Sequence, residues 1–188
     1  MDKKVATDKR SALLVIDVQK AWDDPGLGHR NNPNAEYRTA DLIREFRDHG
    51  LKIIHVRHFS YDERSPFRPG MQSFEFKDQA LPAEGEIVIT KRVNSAFIGT
   101  DLDVILRRLD LRRIFVVGLT TDHCVSTTVR MAGNMGFEAY LVEDACATFD
   151  RSDPWGRVIP AETVHLVNIA SIDGEFGKVI RSSDISYE

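Results

Sequence analysis

Along the chain, short unbroken apolar runs alternate with longer stretches whose apolar positions recur every three or four residues. Ala12–Val18 is apolar at almost every position, the pattern of a strand covered on both faces. Lys52–His58, Glu86–Lys91, Arg113–Leu119, Glu138–Glu143 and Lys178–Arg181 read as further strands. Helical spacing marks Asn34–His49, closed by Gly50, and then Thr100–Leu109, His123–Met135 and Ala161–Ile172. The alternation predicts an α/β fold, a mainly parallel sheet covered by helices on both faces through right-handed crossovers. Two stretches break the rhythm. Trp22–Pro33 is a polar loop, and Phe59–Gly85 carries three prolines and four phenylalanines without any period. A loop of that length in a compact domain is usually functional or disordered, and its phenylalanines argue against disorder.

Composition narrows the classes. The 188 residues suit one domain spanning the whole chain, with 42% hydrophobic residues to fill its core. Twenty-five basic against 29 acidic residues leave a net charge of −4, which excludes disorder as the main state and gives nucleic acid no basic surface. Two cysteines make neither a disulfide framework nor a structural zinc site. No apolar run reaches membrane length, and Met1–Arg10 lacks the apolar core of a signal peptide, so a cytoplasmic setting is expected. There is no dinucleotide or phosphate-binding glycine motif. A small-molecule substrate, with no cofactor, is the expectation.

In open parallel sheets the ligand site lies beyond the carboxyl ends of the strands. Three residues stand there: Asp17, Lys91 and Cys124. Each has an ordinary reading of its own: a loop-capping carboxylate, a lysine reaching to the surface, a buried structural cysteine. Together they supply a nucleophile, a cation and a proton acceptor at one sheet edge. Cys124 sits where a strand turns into a helix capped by Asp122 or Thr121, a position that favours thiolate and aims backbone N–H groups at an oxyanion.

Four stretches, Leu13–Gln19, Thr90–Phe97, Val117–Val125 and Val142–Ala147, occur in an order that resembles the isochorismatase-like cysteine hydrolases, a family including nicotinamidases and related amidohydrolases. The likeness runs from about residue 11 to 181. It implies a Rossmann-like, three-layer αβα architecture around six strands, an Asp17–Lys91–Cys124 triad, and homo-oligomerisation. It also implies a cis peptide at Leu119–Thr120 and an oxyanion hole from the N–H groups of Thr120 and Cys124. Trp22 falls where the family places an aromatic against a planar substrate, the alternative being a lid or core residue. Asn94 and Phe97 either line the pocket with Ser95 or fold the following turn. Phe59–Gly85, with Arg64 and Arg68, forms a pocket wall or an intersubunit contact.

Nicotinamidases carry an Asp-x-His and a further histidine after the second strand. Here that stretch reads His55-Val56-Arg57-His58-Phe59-Ser60-Tyr61-Asp62. His55 and His58 point to opposite faces of a strand, so no metal is expected and nicotinamidase activity is disfavoured. His123, His165 and Cys146 read as structural. The leading expectation is a metal-independent cysteine hydrolase cleaving an amide-like C–N bond through a thioester. The alternatives are vinyl-ether hydrolysis of the isochorismatase type, which needs no thiol, and a non-catalytic binding protein keeping the fold.

Overall fold

A computed structural model describes residues 4–187. Six strands form the central sheet: β1 (Ser11–Ile16), β2 (Lys52–His58), β3 (Ile87–Lys91), β4 (Arg113–Leu119), β5 (Glu138–Ala147) and β6 (Lys178–Ile180). Their order is β3-β2-β1-β4-β5-β6, and every pairing is parallel. The helices are α1 (Ala35–Asp48), α2 (Leu102–Arg108), α3 (Ser126–Asn134) and α4 (Ala161–Ile172). Two small ribbons, Val5–Ala6 with Ile185–Ser186 and Arg151–Ser152 with Val158–Ile159, lie outside the sheet. Among the described residues no helix is long and apolar enough to cross a membrane.

The unbroken apolar character of β1 follows from its central place. Leu14 and Ile16 pack with Leu102, Leu106 and Val129 on one face, while Leu13 and Val15 pack with Leu42, Ile43 and Phe46 on the other. All of these are almost wholly buried, which defines a three-layer sandwich. The chain builds outward from β1 to β3 and then returns to β4 on the other side of β1. That reversal opens a crevice at the carboxyl ends of β1 and β4. Gly118 makes the two strands meet closely there. It pairs with Ile16 at φ 119°, and a Cβ on it would lie 2.0 Å from the Ile16 carbonyl oxygen.

Some boundaries differ from the sequence expectations. β1 stops at Ile16, because Asp17 turns out of the strand with a φ of 50°. β5 runs on to Ala147, its register against β4 shifting between Val116 and Gly118. The helix expected from His123 opens as a π-helical turn, Thr121–Val125, before α3 begins. Such turns occur mostly as single-turn interruptions of helices. Phe59–Gly85 holds only two short 3₁₀ turns, and its phenylalanines fold inward one at a time rather than periodically.

Candidate active site

Asp17, Lys91 and Cys124 converge. Asp17 is 0% exposed, Lys91 1% and Cys124 6%. Lys91 Nζ donates to Asp17 Oδ2 at 2.5 Å and to Cys124 Sγ at 3.3 Å. Its third acceptor is His58 Nδ1, at 3.1 Å. An ammonium has three N–H donors, and all three are used. Asp17, His58 and Cys124 are also residue types that bind metals, with donor atoms within 4.8 Å of one another. In this protein the Lys91 ammonium is the cation they surround.

Asp17 occupies a left-handed backbone position that short polar side chains tolerate at modest cost. Hydrogen bonds pin it there. Its N–H donates to the Val56 carbonyl at 2.8 Å, and its carbonyl accepts from the Gln19 N–H at 2.8 Å and from Trp22 Nε1 at 2.6 Å. Its Oδ1 is buried and has no partner among the described residues. A carboxylate oxygen in that condition is free to accept a proton or a substrate N–H.

The charge state of Cys124 departs from the sequence expectation. Burial pushes its thiol above the ordinary range, the Asp17 charge adds to this, and Lys91 opposes it. The helix-terminus argument for thiolate did not weigh burial. The sulfur is 6% exposed and faces a cation already paired with a carboxylate. The balance favours the protonated sulfur.

Behind the turn, the side chains expected to cap it do other work. Asp122 makes no cap hydrogen bond. It accepts from Thr148 Oγ1 at 2.5 Å and from Arg151 Nε at 2.7 Å. Burial raises its carboxyl, but the hydrogen bonds from Arg151 and Thr148 outweigh that and hold it at about 2. Thr121 Oγ1 meets His165 Nδ1 of α4 at 2.9 Å. His123 turns outward, its Nε2 3.4 Å from Asp122, and makes no hydrogen bond to Cys124. The Leu119–Thr120 bond is cis, and the Thr120 N–H has no protein acceptor among the described residues.

The aromatic surroundings divide differently from the sequence reading. Trp22 is partly buried, stacked on Phe149 with centroids 5.9 Å apart and edge-on to Phe67 at 5.1 Å. Phe67 also meets the His58 ring edge-on at 5.2 Å, so part of Phe59–Gly85 reaches a residue that contacts Lys91. Phe97 is a core residue stacked on Phe137. Asn94 is exposed and makes no side-chain hydrogen bond among the described residues. Arg64 pairs with Asp62 and Arg68 leans on Met71.

Two contributors escaped the sequence reading. His55 and His58 do face opposite ways, His55 binding Glu86 at 2.8 Å on the far side. But His58 is paired directly with Lys91 in the β2–β3 register, and that placement was available from the strand alignment. Gln19, wholly buried, donates to the carbonyls of His58 and Phe74 and accepts from the His58 N–H at 2.7 Å.

A doubly wound parallel sheet here brings a cysteine, a lysine and an aspartate into contact at its switch point. The sequence pattern of the isochorismatase domain matches residues 11–181, and the chain belongs to that family of hydrolases. The isochorismatase family protein YrdC of Bacillus subtilis is 38% identical over 178 residues, 95% of each chain. A crystal structure of an isochorismatase-family protein from Chromobacterium violaceum superposes with a TM-score of 0.93 at 44% identity, covering 96% of this chain and 94% of that one. The maleamate amidohydrolase of Pseudomonas putida is 25% identical over 198 residues, 97% of this chain and 88% of its own.

Proposed function

We propose that this protein is a cysteine hydrolase that cleaves the C–N bond of a small carboxamide through a thioester on Cys124. One observation carries the reading: Lys91 Nζ lies within hydrogen-bonding distance of both Asp17 and Cys124. A family relative that is a maleamate amidohydrolase supports the choice of bond.

The proton begins on sulfur. As Sγ attacks the carbonyl carbon, the S–H proton passes to the Asp17 carboxylate, whose Oδ1 lacks any other partner. Lys91 offsets the negative charge on sulfur during the transfer, which the dry surroundings otherwise oppose. The N–H groups of Thr120 and Cys124 hold the tetrahedral oxyanion. Asp17 returns its proton to the departing amine, leaving the acyl group on sulfur. Water then gives a proton to Asp17 and attacks the thioester, and the thiol is re-formed with that proton as the carboxylic acid leaves. Trp22 and Phe67 wall the acyl group, which suits a short, flat substrate.

Release of ammonia from a panel of small primary amides and ureides, and of hydroxylamine from hydroxamates, with Cys124→Ala as control, tests the proposal. At least one compound is turned over by the native protein and by the variant not at all. Turnover that survives in Cys124→Ala, or a panel with no release of either amine, overturns it.

A further inference from the structure

We propose that His58 is a positioning residue of this site: its Nδ1 accepts the third N–H of Lys91 and holds the ammonium between Asp17 and Cys124. The inference rests on the roles assigned to Lys91 and Cys124 above. Lys91 is buried at the end of a strand, on a long side chain with several rotatable bonds. The 2.5 Å contact to Asp17 would by itself draw Nζ toward the carboxylate, and sulfur is a weak acceptor that holds it back poorly. His58 Nδ1 supplies the third anchor at 3.1 Å, so that Nζ is set by three contacts rather than one.

The imidazole is itself locked. Gln19 clasps the His58 backbone on both its N–H and its carbonyl, and Phe67 stands edge-on to the ring. Accepting from an ammonium requires a bare Nδ1, with the ring hydrogen on Nε2. Burial and the Lys91 charge, against the opposing pull of Asp17, hold His58 below the ordinary histidine range and so keep Nδ1 unprotonated near neutrality. The groups with ionisable side chains that face it are Lys91 from β3, Asp17 after β1 and Cys124 on the π turn; Phe67, from the long segment, is uncharged. Protonating His58 removes the acceptor and sets two cations against each other.

The readout is alkylation of Cys124 by iodoacetamide, followed by peptide mapping between pH 5 and 9, which needs no knowledge of the substrate. Cys146 is wholly buried and serves as the internal blank. His58→Ala slows alkylation at pH 8 by about tenfold, as Nζ moves onto Asp17 and leaves sulfur. His58→Asn, whose carbonyl reaches the Nδ1 position, restores the rate to within about threefold, and His58→Gln, whose carbonyl reaches past it, does not. At the acid end of the range the native protein shows an extra loss of reactivity that His58→Asn lacks, setting in below the ordinary histidine range. With an amide from the panel, His58→Ala lowers kcat and leaves KM within about twofold. Unchanged or faster alkylation in His58→Ala overturns the proposal, as does an Asn variant as slow as Gln. Where His58→Ala does not fold, the Asn and Gln pair decides alone. If no amide is hydrolysed yet alkylation follows this order, the carboxamide reading fails and the positioning role stands; the reverse pattern separates them the other way.

Discussion

The Trp22 indole donates its Nε1–H to the backbone carbonyl of Asp17 at 2.6 Å. Trp22, which the sequence offers as a substrate-facing aromatic or as a lid or core residue, thus also fixes the left-handed turn that carries the Asp17 carboxylate. Trp22→Phe keeps the ring and loses the donor. It is expected to lower kcat about tenfold, the equivalent of one ordinary hydrogen bond, with KM changed less than threefold. Trp22→Ala removes the wall as well and raises KM. Steady-state kinetics of the two variants distinguishes these effects, and a kcat in Trp22→Phe equal to the native value removes the positioning role.

Asparagine tolerates the same backbone region and has nearly the same shape, so Asp17→Asn preserves the turn and abolishes proton acceptance. Turnover falls by at least about 10³-fold while the melting temperature stays within several degrees. Activity near the native level would show that another group carries the proton.

The Asp17–Lys91 pair has 0% side-chain exposure on both partners, and removing one leaves the other charged and dry. Lys91→Met alone is therefore expected to cost about 3–5 kcal/mol in urea unfolding. Adding Asp17→Asn to Lys91→Met recovers part of that loss, because the stranded charge is gone. Strictly additive effects would mean that the two groups do not sense each other.

How much of this was legible in sequence depended on whether strand ends alone could report it. Asp17, Lys91 and Cys124 interrupt or terminate apolar runs, so the topology of a parallel sheet brings them together without any coordinates. The direction in which the site shifts Cys124 was not legible, since it is a balance of burial against two opposite neighbours that no spacing encodes. His58 was weighed only as a metal ligand paired with His55, a pairing strand alternation correctly removed, and its register opposite Lys91 went unused. Phe97 follows the strand that ends at Lys91 yet packs into the core against Phe137, forty residues further along the chain. Trp22, Gln19 and Phe67 act through loops, where hydrogen bonds to backbone atoms leave no periodic trace.

A second charged cluster is expected to contribute to acid stability. Glu36 is almost buried, and accepts from Arg30 Nη1 and from Lys77 Nζ, each at 2.7 Å. Burial raises its carboxyl, but the bonds from Arg30 and Lys77 outweigh this and bring it down to about 2 from 4.5. A depressed folded-state value means that the stabilisation is complete above pH 4.5 and fades as pH falls toward 2. The amount is on the order of 2–3 kcal/mol. Urea unfolding of the native protein should weaken across that window, and Glu36→Gln should flatten the dependence while being less stable at pH 7. An identical slope in both proteins would exclude Glu36 as the source.

The most direct test of the account is the mass of the protein caught during turnover of an amide from the panel. Rapid acid quench followed by peptide mapping should find the acyl portion of the substrate, without its amine, on the peptide containing Cys124 and nowhere else. Steady turnover with an unmodified Cys124 peptide, and with full activity retained in Cys124→Ala, would contradict it.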